Sequence, residues 1–348
     1  MSKVLIVGDI HLDSQWVSDT DECLDKIIKF VNEHGCENVV LLGDIYHRRD
    51  IQKGGAEELR FHKFLESFPY WTRVHILTGN HDLSDDRNLL SEIKTLDLHS
   101  NVFLYDTMQS TFRIKDDIVA VMLPWEVHRR TNTVEWFEFK CNDLRMMGIK
   151  FVLFAHLPFV EAKFNNSRMI SNQSKNFPSI KSLEAIPTFE FAFLGDIHSP
   201  QDIGTRALYV GGIRNSNFGE SGDKRVVLFD TDTMSATNLW LGCRDTHIAE
   251  IKMAQLEHYL LDPVISNKMV KLKVSCTQEE YERGIGPIVH DAYDLKIEYE
   301  ISGKKEFKSL DITDDEKMFQ AYCDTLSDKY GNDIIDRVKI IGKDILYG

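Results

Sequence analysis

Five apolar segments of this chain each end in a short cluster of polar residues. Ligands of α/β proteins collect at the carboxyl ends of the sheet strands, so five such ends can converge on one site. A glycine ahead of the polar residues lets the backbone turn sharply and approach a ligand closely. The clusters, in chain order, are Gly8-Asp9-Ile10-His11, Gly43-Asp44-Ile45-Tyr46-His47, Gly79-Asn80-His81-Asp82, His156, and Gly195-Asp196-Ile197-His198.

The side chains in these clusters form a metal-binding set. Carboxylate, imidazole and amide oxygen together favour Mn, Fe or Zn over Ca or Mg alone. Two such ions about 3.5–4 Å apart form a clamp for in-line phosphoryl transfer, and a carboxylate such as Asp44 can bridge them. A single Gly-Asp pair is often only a turn. The ordered repetition of five clusters, each after an apolar run, predicts a metal site.

The first eighty residues alternate strands with amphipathic helices. Strands are predicted at Lys3–Val7, Asn38–Leu42 and Arg73–Thr78, and helices at Asp19–His34 and Ala56–Phe68. Gly35 and Pro69 are expected to end the two helices. This βαβαβ order predicts a parallel core with right-handed crossovers.

Short strands dominate the middle of the chain, where one helix is predicted at Val134–Met147. The polar segment Glu161–Pro187 is expected to be a long loop. A mixed α/β fold follows, with a two-sheet β-sandwich flanked by helices. The predicted strands are Val102–Tyr105, Thr111–Lys115, Ile118–Leu123, Lys150–Ala155, Phe189–Leu194, Ala207–Val210 and Arg225–Phe229.

The pattern changes near residue 245. Predicted strands at Met269–Ser275 and Asp294–Ile301, with a helix at Thr277–Tyr293 between them, indicate a smaller α+β capping domain. We therefore expect domains at 1–245 and 246–312, followed by a C-terminal helical segment at 313–348. Two amphipathic helices are predicted in that last part of the chain, at Asp314–Tyr330 and Asn332–Leu346.

Composition narrows the class of protein. Neither an N-terminal apolar region nor an apolar run near 18 residues is present in the 348 residues, and the six cysteines form no spaced framework. These features predict a cytoplasmic protein without a membrane contact. The net charge of −14 predicts weak nucleic-acid binding by the chain alone, and therefore a partner if nucleic acid is the substrate.

The ordered clusters resemble the calcineurin-like metallophosphoesterase family, whose pattern is D-x-H, G-D, G-N-H-D/E, H and G-H-x-H. The resemblance implies two divalent ions, expected to be Mn with Mg as the alternative. It implies that His81 faces the scissile phosphate and assists the leaving oxygen; Asp82, next in the motif, is grouped with it as catalytic. The implied ligands are Asp9, His11, Asp44 and His198 for one ion, and Asp44, Asn80, His156 and Asp196 for the other.

Residue 196 departs from the family pattern. The last motif reads Gly195-Asp196-Ile197-His198, so an aspartate stands where the family has histidine. A carboxylate still binds hard divalent ions and shifts the metal preference towards Mn or Mg and away from Zn. Ligation by Asp196 is expected, and the alternative is that Asp196 turns away and leaves a weak second site.

Two further motifs are similar to those of the SbcD-type repair and recombination nucleases. The Gly43–His47 motif has their G-D-x-x-H form, and Tyr209–Glu220 is similar to their Y-x-G-S-x-x-R-x-x-F-G-E segment. The similarity implies a DNA nuclease, an exonuclease on duplex and an endonuclease on single strands, active in repair, recombination and replication. The compact length would suit a bacteriophage subunit acting in the host cytoplasm. His47 is the second catalytic candidate, and the candidate DNA contacts are Arg48, Arg49, Arg129, Arg130 and Arg214.

The same branch implies two kinds of protein partner. One is a second copy of the chain, paired through helices near 54–68 and 86–97. The other is an SbcC-like SMC-family ATPase, bound through the C-terminal helices; the alternative for the last of these helices is ordinary packing within the chain. Two alternatives stay open: a phosphomonoesterase or cyclic-nucleotide phosphodiesterase of the same fold, and a scaffold that has lost its metals through the change at Asp196.

Overall fold

The protein is described from a computed structural model. Its contacts divide the chain into two compact units, one of residues 1–274 with 285–298 and the other of 275–284 with 299–348. The structure describes residues 3–84, 88–91, 100–106, 110–125, 133–164, 168–169, 177–220, 222–284 and 289–302.

Strands outnumber helices in the described part of the chain. The strands are β1 Lys3–Val7, β2 Asn38–Leu41, β3 Arg73–Leu77, β4 Val102–Tyr105, β5 Ser110–Lys115, β6 Ile118–Leu123, β7 Lys150–His156, β8 Lys163–Phe164, β9 Arg168–Met169, β10 Phe189–Gly195, β11 Gln201–Ile203, β12 Ala207–Tyr209, β13 Arg225–Asp230, β14 Ser235–Trp240, β15 Thr246–Lys252, β16 Met269–Cys276 and β17 Asp294–Ile301. The helices are α1 Val17–His34, α2 Ala56–Glu66, α3 Thr133–Met147, α4 Ile180–Glu184, α5 Leu256–Tyr259 and α6 Gln278–Arg283, with 3-10 turns at Met253–Gln255 and Pro263–Ile265.

Two six-stranded sheets form the sandwich. Their strand orders are β14-β13-β1-β2-β3-β4 and β11-β12-β10-β7-β6-β5. The β1–β2 and β2–β3 pairs are parallel, as are β6–β7 and β7–β10, whereas β13 and β14 add antiparallel strands. The predicted parallel core and the predicted mixed α/β two-sheet fold are both confirmed.

Alternate residues of the same strand enter different parts of the core. Val4 and Ile6 of β1 pack with Phe154 and Phe193 of the other sheet between the two sheets. Leu5, by contrast, packs on the opposite face, among the apolar residues of α1 and α2. Both faces of β1 are therefore covered, which explains why its sequence is a continuous apolar run.

The helices close the outer faces of the sandwich. Helix α1 buries Cys23, Leu24, Ile27 and Val31 at helical spacing. It ends at Gly35, whose φ of 61° and hydrogen bond to the Val31 carbonyl form the expected cap. On the second sheet, α3 and α4 contribute to another apolar cluster. None of the described helices is long and apolar enough to cross a membrane.

Two sequence predictions were wrong in detail. The helix expected at Thr277–Tyr293 ends at Arg283, because Gly284 takes a φ of 67°, and residues 289–293 are not helical. The segment Glu161–Pro187 is not a plain loop, because it contains the β8–β9 pair and α4. The β8–β9 pair and α4 were not predicted because both are too short to show an amphipathic pattern.

The third described sheet has the order β15-β16-β17. Its first strand begins at Thr246, next to the predicted boundary at residue 245, and the predicted domain division stays a prediction. Both predicted C-terminal helices, the segment 313–348 and most of the predicted dimer helix 86–97 lie outside the described residues.

Candidate metal centre

The carboxyl ends of five strands meet at one place in the sandwich. Strands β1, β2 and β3 reach it from the first sheet, and β7 and β10 from the second. Backbone hydrogen bonds hold the ends together: the amides of Ile10 and His11 donate to the Asp44 carbonyl at 3.1 and 2.9 Å, and the Ile213 amide donates to the Asp9 carbonyl at 3.1 Å. The five clusters predicted to converge therefore do so.

Asp9, His11 and His198 form the first group of donors. One ligand atom from each lies within 4.8 Å of the others. The two imidazole Nε2 atoms of His11 and His198 are 2.9 Å apart. Asp9 and His11 are buried, while His198 is half-buried and faces the rim of the site.

Asn80, His156 and Asp196 form the second group around Asp44. His156 Nε2 lies 3.1 Å from Asn80 Oδ1, 3.4 Å from Asp44 Oδ1 and 3.8 Å from Asp196 Oδ1. The other three predicted ligands of the second ion thus each place an oxygen within 3.8 Å of His156 Nε2. Asp196 points towards the cluster and does not turn away.

Asp44 stands between the two groups. Its Oδ2 lies 3.6 Å from His11 Nε2, and its Oδ1 faces His156. Oδ1 also accepts a hydrogen bond of 2.8 Å from the His81 amide, which fixes the carboxylate. This is the arrangement expected of a carboxylate that bridges two ions.

The donor atoms fit divalent cations. His156 Nδ1 donates to the Leu42 carbonyl at 2.7 Å, so Nε2 is the ring atom that faces the Asp44 and Asn80 side chains. Asp9 Oδ2 and His11 Nδ1 are buried without a hydrogen-bond partner among the described residues. Carboxylate and imidazole groups that face one another in this way are typical of a metal site.

Electrostatics lead to the same conclusion. Burial by itself lowers the pKa of His156, but the surrounding carboxylates, Asp44 foremost, outweigh burial and raise it to about 10. Burial raises the pKa of Asp196 to about 7, with a further contribution from Asp44 and Asp9. The cluster therefore holds extra protons unless another positive charge is present, and bound cations supply that charge.

Close approach explains the glycines of the motifs. A Cβ built on Gly79 would lie 2.2 Å from Asp44 Oδ1, and one on Gly195 would lie 2.8 Å from His156 Nδ1. Three predicted ligands also take a positive φ that non-glycine residues rarely adopt: His11 at 50°, Asp44 at 49° and Asp196 at 85°. Such backbone strain clusters at functional sites.

His81 and His47 lie side by side at the rim. Their rings stack with centroids 5.9 Å apart, and each lies edge-on to His11, at 4.9 and 5.4 Å. His81 Nδ1 donates to the His47 carbonyl at 2.6 Å. That bond keeps a proton on Nδ1 and leaves Nε2 for exchange with a substrate.

Asp82 has a different function from the predicted catalytic one. It is fully buried, and its carboxylate accepts backbone hydrogen bonds from Ile45, Tyr46 and Gly79 at 2.9, 3.1 and 2.9 Å. An oxygen occupied in this way does not reach a substrate. Asp82 instead ties the end of β2 to the end of β3.

The five predicted DNA contacts fall in three different settings. Arg48 and Arg49 are exposed, and Arg48 pairs with Asp50. Arg129 and Arg130 lie outside the described residues.

Arg214, the fifth predicted DNA contact, is only 2% exposed. Its guanidinium donates to Thr20 Oγ1 at 2.7 Å and to the His11 and Asn215 carbonyls at 3.0 Å each, and lies 3.3 Å from Asp13. These contacts correct the expectation of a phosphate contact, because they place Arg214 behind His11 as a support.

Two residues near the site were missed by sequence reasoning. Glu220 accepts a hydrogen bond of 2.9 Å from His198 Nδ1, and Lys224 pairs with Glu220 at 2.7 Å. In the sequence, Glu220 is only the last residue of the Tyr209–Glu220 motif, and Lys224 belongs to no motif. Nothing in the local sequence of Lys224 marks it as buried.

Comparison with known proteins places the chain among phosphoesterases. The family model described as calcineurin-like phosphoesterase matches residues 2–200. Putative phosphoesterase 244L of Invertebrate iridescent virus 6 is 23% identical over 296 residues, which cover 79% of this chain and 93% of that protein.

Two solved structures resemble the chain at low identity. An archaeal phosphodiesterase is 12% identical, with a TM-score of 0.37, and the match covers 68% of this chain and 99% of that one. A dimetal phosphatase from Danio rerio is 13% identical, with a TM-score of 0.45 and coverage of 65% and 91%. The family match is the stronger finding: because that model spans more than half of the 348 residues, the chain belongs to the calcineurin-like phosphoesterases and is a metal-dependent phosphoesterase.

Proposed function

We propose that this phosphoesterase is a DNA nuclease of the SbcD type that hydrolyses phosphodiester bonds with two divalent ions, Mn or Mg. The observation that carries the proposal is the stacked His47–His81 pair at the rim of the donor cluster. One histidine suffices to assist a leaving oxygen. A second beside it, followed directly by the exposed Arg48 and Arg49, suits a substrate that continues past the scissile phosphate as a polyanion.

His81 serves as the acid in this proposal. Its Nδ1 proton is committed to the His47 carbonyl, and its amide is committed to Asp44 Oδ1, so the ring is held at a fixed distance from the ligands. In its protonated form, His81 donates from Nε2 to the departing 3′ oxygen. The His47 ring, stacked on that of His81, positions the adjacent nucleotide.

The ligand groups described above would hold the ions at the strand ends, and the ions would supply charge neutralisation and an activated water for attack on phosphorus. Asp44 keeps the two groups at a common spacing. Because three carboxylates, those of Asp9, Asp44 and Asp196, face the site, hard ions such as Mn and Mg suit it better than Zn.

Partners belong to the same proposal. The net charge of −14 disfavours tight DNA binding by the chain alone, and an SbcC-like SMC-family ATPase would supply basic surface. Pairing of two copies through α2 would place two sites on one DNA molecule. The segments predicted to bind the ATPase lie outside the described residues, so this part is supported by sequence resemblance alone.

The test is an assay of the purified full chain with MnCl₂, with and without the candidate ATPase. Linear duplex DNA and circular single-stranded DNA are compared with small phosphomonoesters and cyclic nucleotides. We expect Mn-dependent DNA degradation, and for His81→Ala we expect kcat to fall by about 10²–10⁴-fold. The Kd for Mn²⁺ should stay near the wild-type value, since His81 is not a ligand.

His34→Ala is the matched control, because His34 ends α1 at the opposite end of the sheet from the strand ends. It should degrade DNA at the wild-type rate. Hydrolysis of small esters without any DNA degradation, in the presence of the ATPase, would overturn the nuclease proposal. Equal DNA degradation by wild type and His81→Ala would overturn the role of His81.

A further inference from the structure

A carboxylate and an ammonium group lie directly behind His198. Glu220 and Lys224 are each 1% exposed, and Lys224 Nζ donates to Glu220 Oε2 at 2.7 Å. Charged groups this deep in a protein are costly unless they are paired and fully hydrogen-bonded. Such a pair next to a predicted ligand points to a function at that ligand.

Both groups also bind His198 itself. His198 Nδ1 donates to Glu220 Oε1 at 2.9 Å, and Lys224 Nζ donates to the His198 carbonyl at 2.9 Å. The imidazole is thereby held by its ring and by its backbone. With the proton fixed on Nδ1, the Nε2 lone pair points to the partner atom on His11, 2.9 Å away.

We propose that Glu220, with its charge balanced by Lys224, is the positioning residue of the metal centre: it fixes the tautomer and orientation of His198 and so sets the metal affinity of the first donor group. A ligand histidine commonly donates its second ring N–H to such a carboxylate, which makes the ring a better donor. The proposal rests on the metal centre of the proposed function.

The hydrogen bonds of Glu220 explain why it can act as a fixed support. Its Oε1 also accepts from Asn217 Nδ2 at 2.8 Å, and its Oε2 accepts from the Ser216 amide at 3.2 Å. With four donors, the carboxylate has a single orientation. Thr246 Oγ1 donates to the Glu220 carbonyl at 2.5 Å, so the first residue of β15 holds the same loop.

Lys224 explains how a further carboxylate is tolerated here. Asp9, Asp44 and Asp196 already bring three negative charges to the centre, and an unbalanced Glu220 would add a fourth. The ammonium group of Lys224 cancels it locally. Glu220 therefore improves His198 as a ligand without changing the net charge that the ions meet.

Two double variants separate this function from simple structural support. Glu220→Leu/Lys224→Met removes the ion pair and the acceptor of His198, whereas Glu220→Gln/Lys224→Met removes the ion pair but retains an acceptor oxygen. Replacing both members of a buried pair with neutral groups of similar size usually preserves folding. Both variants lack the ion pair, and they differ in whether His198 Nδ1, Asn217 Nδ2 and the Ser216 amide keep an acceptor oxygen.

The measurement is calorimetric titration of MnCl₂ into the chelator-treated full chain, with urea unfolding as the check of folding. We expect the Leu variant to bind Mn²⁺ about 10–100-fold more weakly than wild type, and the Gln variant to recover most of that loss. Glu184→Leu is a control, because Glu184 also accepts several hydrogen bonds, from Thr205 and Arg206, in contacts that involve no ligand. It should lose stability and keep its Mn²⁺ affinity.

The outcomes are distinguishable. If wild type binds no Mn²⁺, the metal centre itself fails, and this proposal fails with it. If wild type binds Mn²⁺ and the two double variants bind it with the same affinity as each other, the metal centre stands and the function of Glu220 is refuted. Weak binding by the Leu variant with recovery in the Gln variant supports it.

Discussion

Asp196 is the residue at which this chain differs from the family's histidine pattern. Its amide donates to Asp9 Oδ1 at 3.2 Å, and its carboxylate lies 3.8 Å from His156. The positive φ of 85° turns the side chain towards the second donor group. The carboxylate of Asp196 thus faces His156 at the sequence position where the family pattern has a histidine.

We predict that Asp196→His changes the metal preference. An imidazole suits Zn²⁺ better than a carboxylate does, relative to Mn²⁺, so the ratio of Zn²⁺ to Mn²⁺ affinity should rise by about tenfold. Competition titrations on the chelator-treated protein measure this ratio. Asp196→Asn removes the charge without adding a nitrogen ligand, so it should lower the affinity for both Zn²⁺ and Mn²⁺. Unchanged affinities in both variants would show that residue 196 is not a ligand.

At the scale of elements, the site depends on how strand ends are joined to one another. The two six-stranded sheets supply the strands, but the loops after β2 and β3 are held at a fixed spacing by Asp82. The buried carboxylate takes up backbone N–H groups that would otherwise have no partner. Asp44 and Asn80 lie on these two loops, so Asp82 also sets their separation.

We predict that Asp82→Ala lowers the free energy of unfolding by about 3 kcal/mol, because three buried N–H groups lose their acceptor. Urea unfolding of the chelator-treated protein measures the change. Mn²⁺ affinity should fall as well, since both ligand loops are released.

Asp230→Ala is the control for this prediction. Asp230 likewise accepts two backbone N–H bonds, from Asp232 and Thr233, but in a solvent-exposed turn. Asp230→Ala should lower the free energy of unfolding by less than about 1 kcal/mol. Equal losses in the two variants would contradict the special position of Asp82.

In the whole sandwich, the polar side chain of His75 lies between the two sheets. His75 of β3 stacks on Phe112 of β5 with ring centroids 3.7 Å apart. Its Nε2 donates to Asn38 Oδ1 at 3.1 Å, and its Nδ1 accepts from the Tyr105 hydroxyl at 2.9 Å. These bonds satisfy the neutral ring completely, and burial lowers the pKa of His75 from 6.5 to about 3.

This pKa shift predicts acid sensitivity of folding. The unfolded chain binds the His75 proton below about pH 6.5, whereas the folded chain binds it only near pH 3. Stability is therefore fully present above pH 6.5 and is lost as the pH falls through this window. Between pH 7 and pH 5, His75 should account for a loss of about 2 kcal/mol.

The measurement is urea unfolding at pH 7 and pH 5 with chelator present. In His75→Gln, the difference between the two pH values should shrink by about 2 kcal/mol, although the variant is less stable at both. His258→Gln, a change at an exposed histidine, should keep the wild-type difference. An unchanged difference in His75→Gln would refute the assignment.

Local sequence was enough to place several strands and the polar clusters that follow the apolar runs. Strands β1, β4, β6 and β17 have the predicted bounds, because strands buried on both faces are apolar runs and half-buried ones alternate. Polar clusters after the apolar runs predicted the convergence of Asp9, Asn80 and His156, since ligands of such sheets collect at strand ends. Local sequence was sufficient there because each signal lies within a few consecutive residues.

The residues behind those clusters could not be placed without the packing of the folded chain. Arg214 reads as a surface cation and is buried behind His11, while Lys224 is buried 26 residues after the histidine whose carbonyl it binds. An edge strand such as β14 was not predicted either, because its sequence is mostly polar and exposed. These cases have one physical reason. A hydrogen bond or ion pair between residues far apart in the chain depends on how the two sheets pack. Such packing produces no periodic pattern in the sequence.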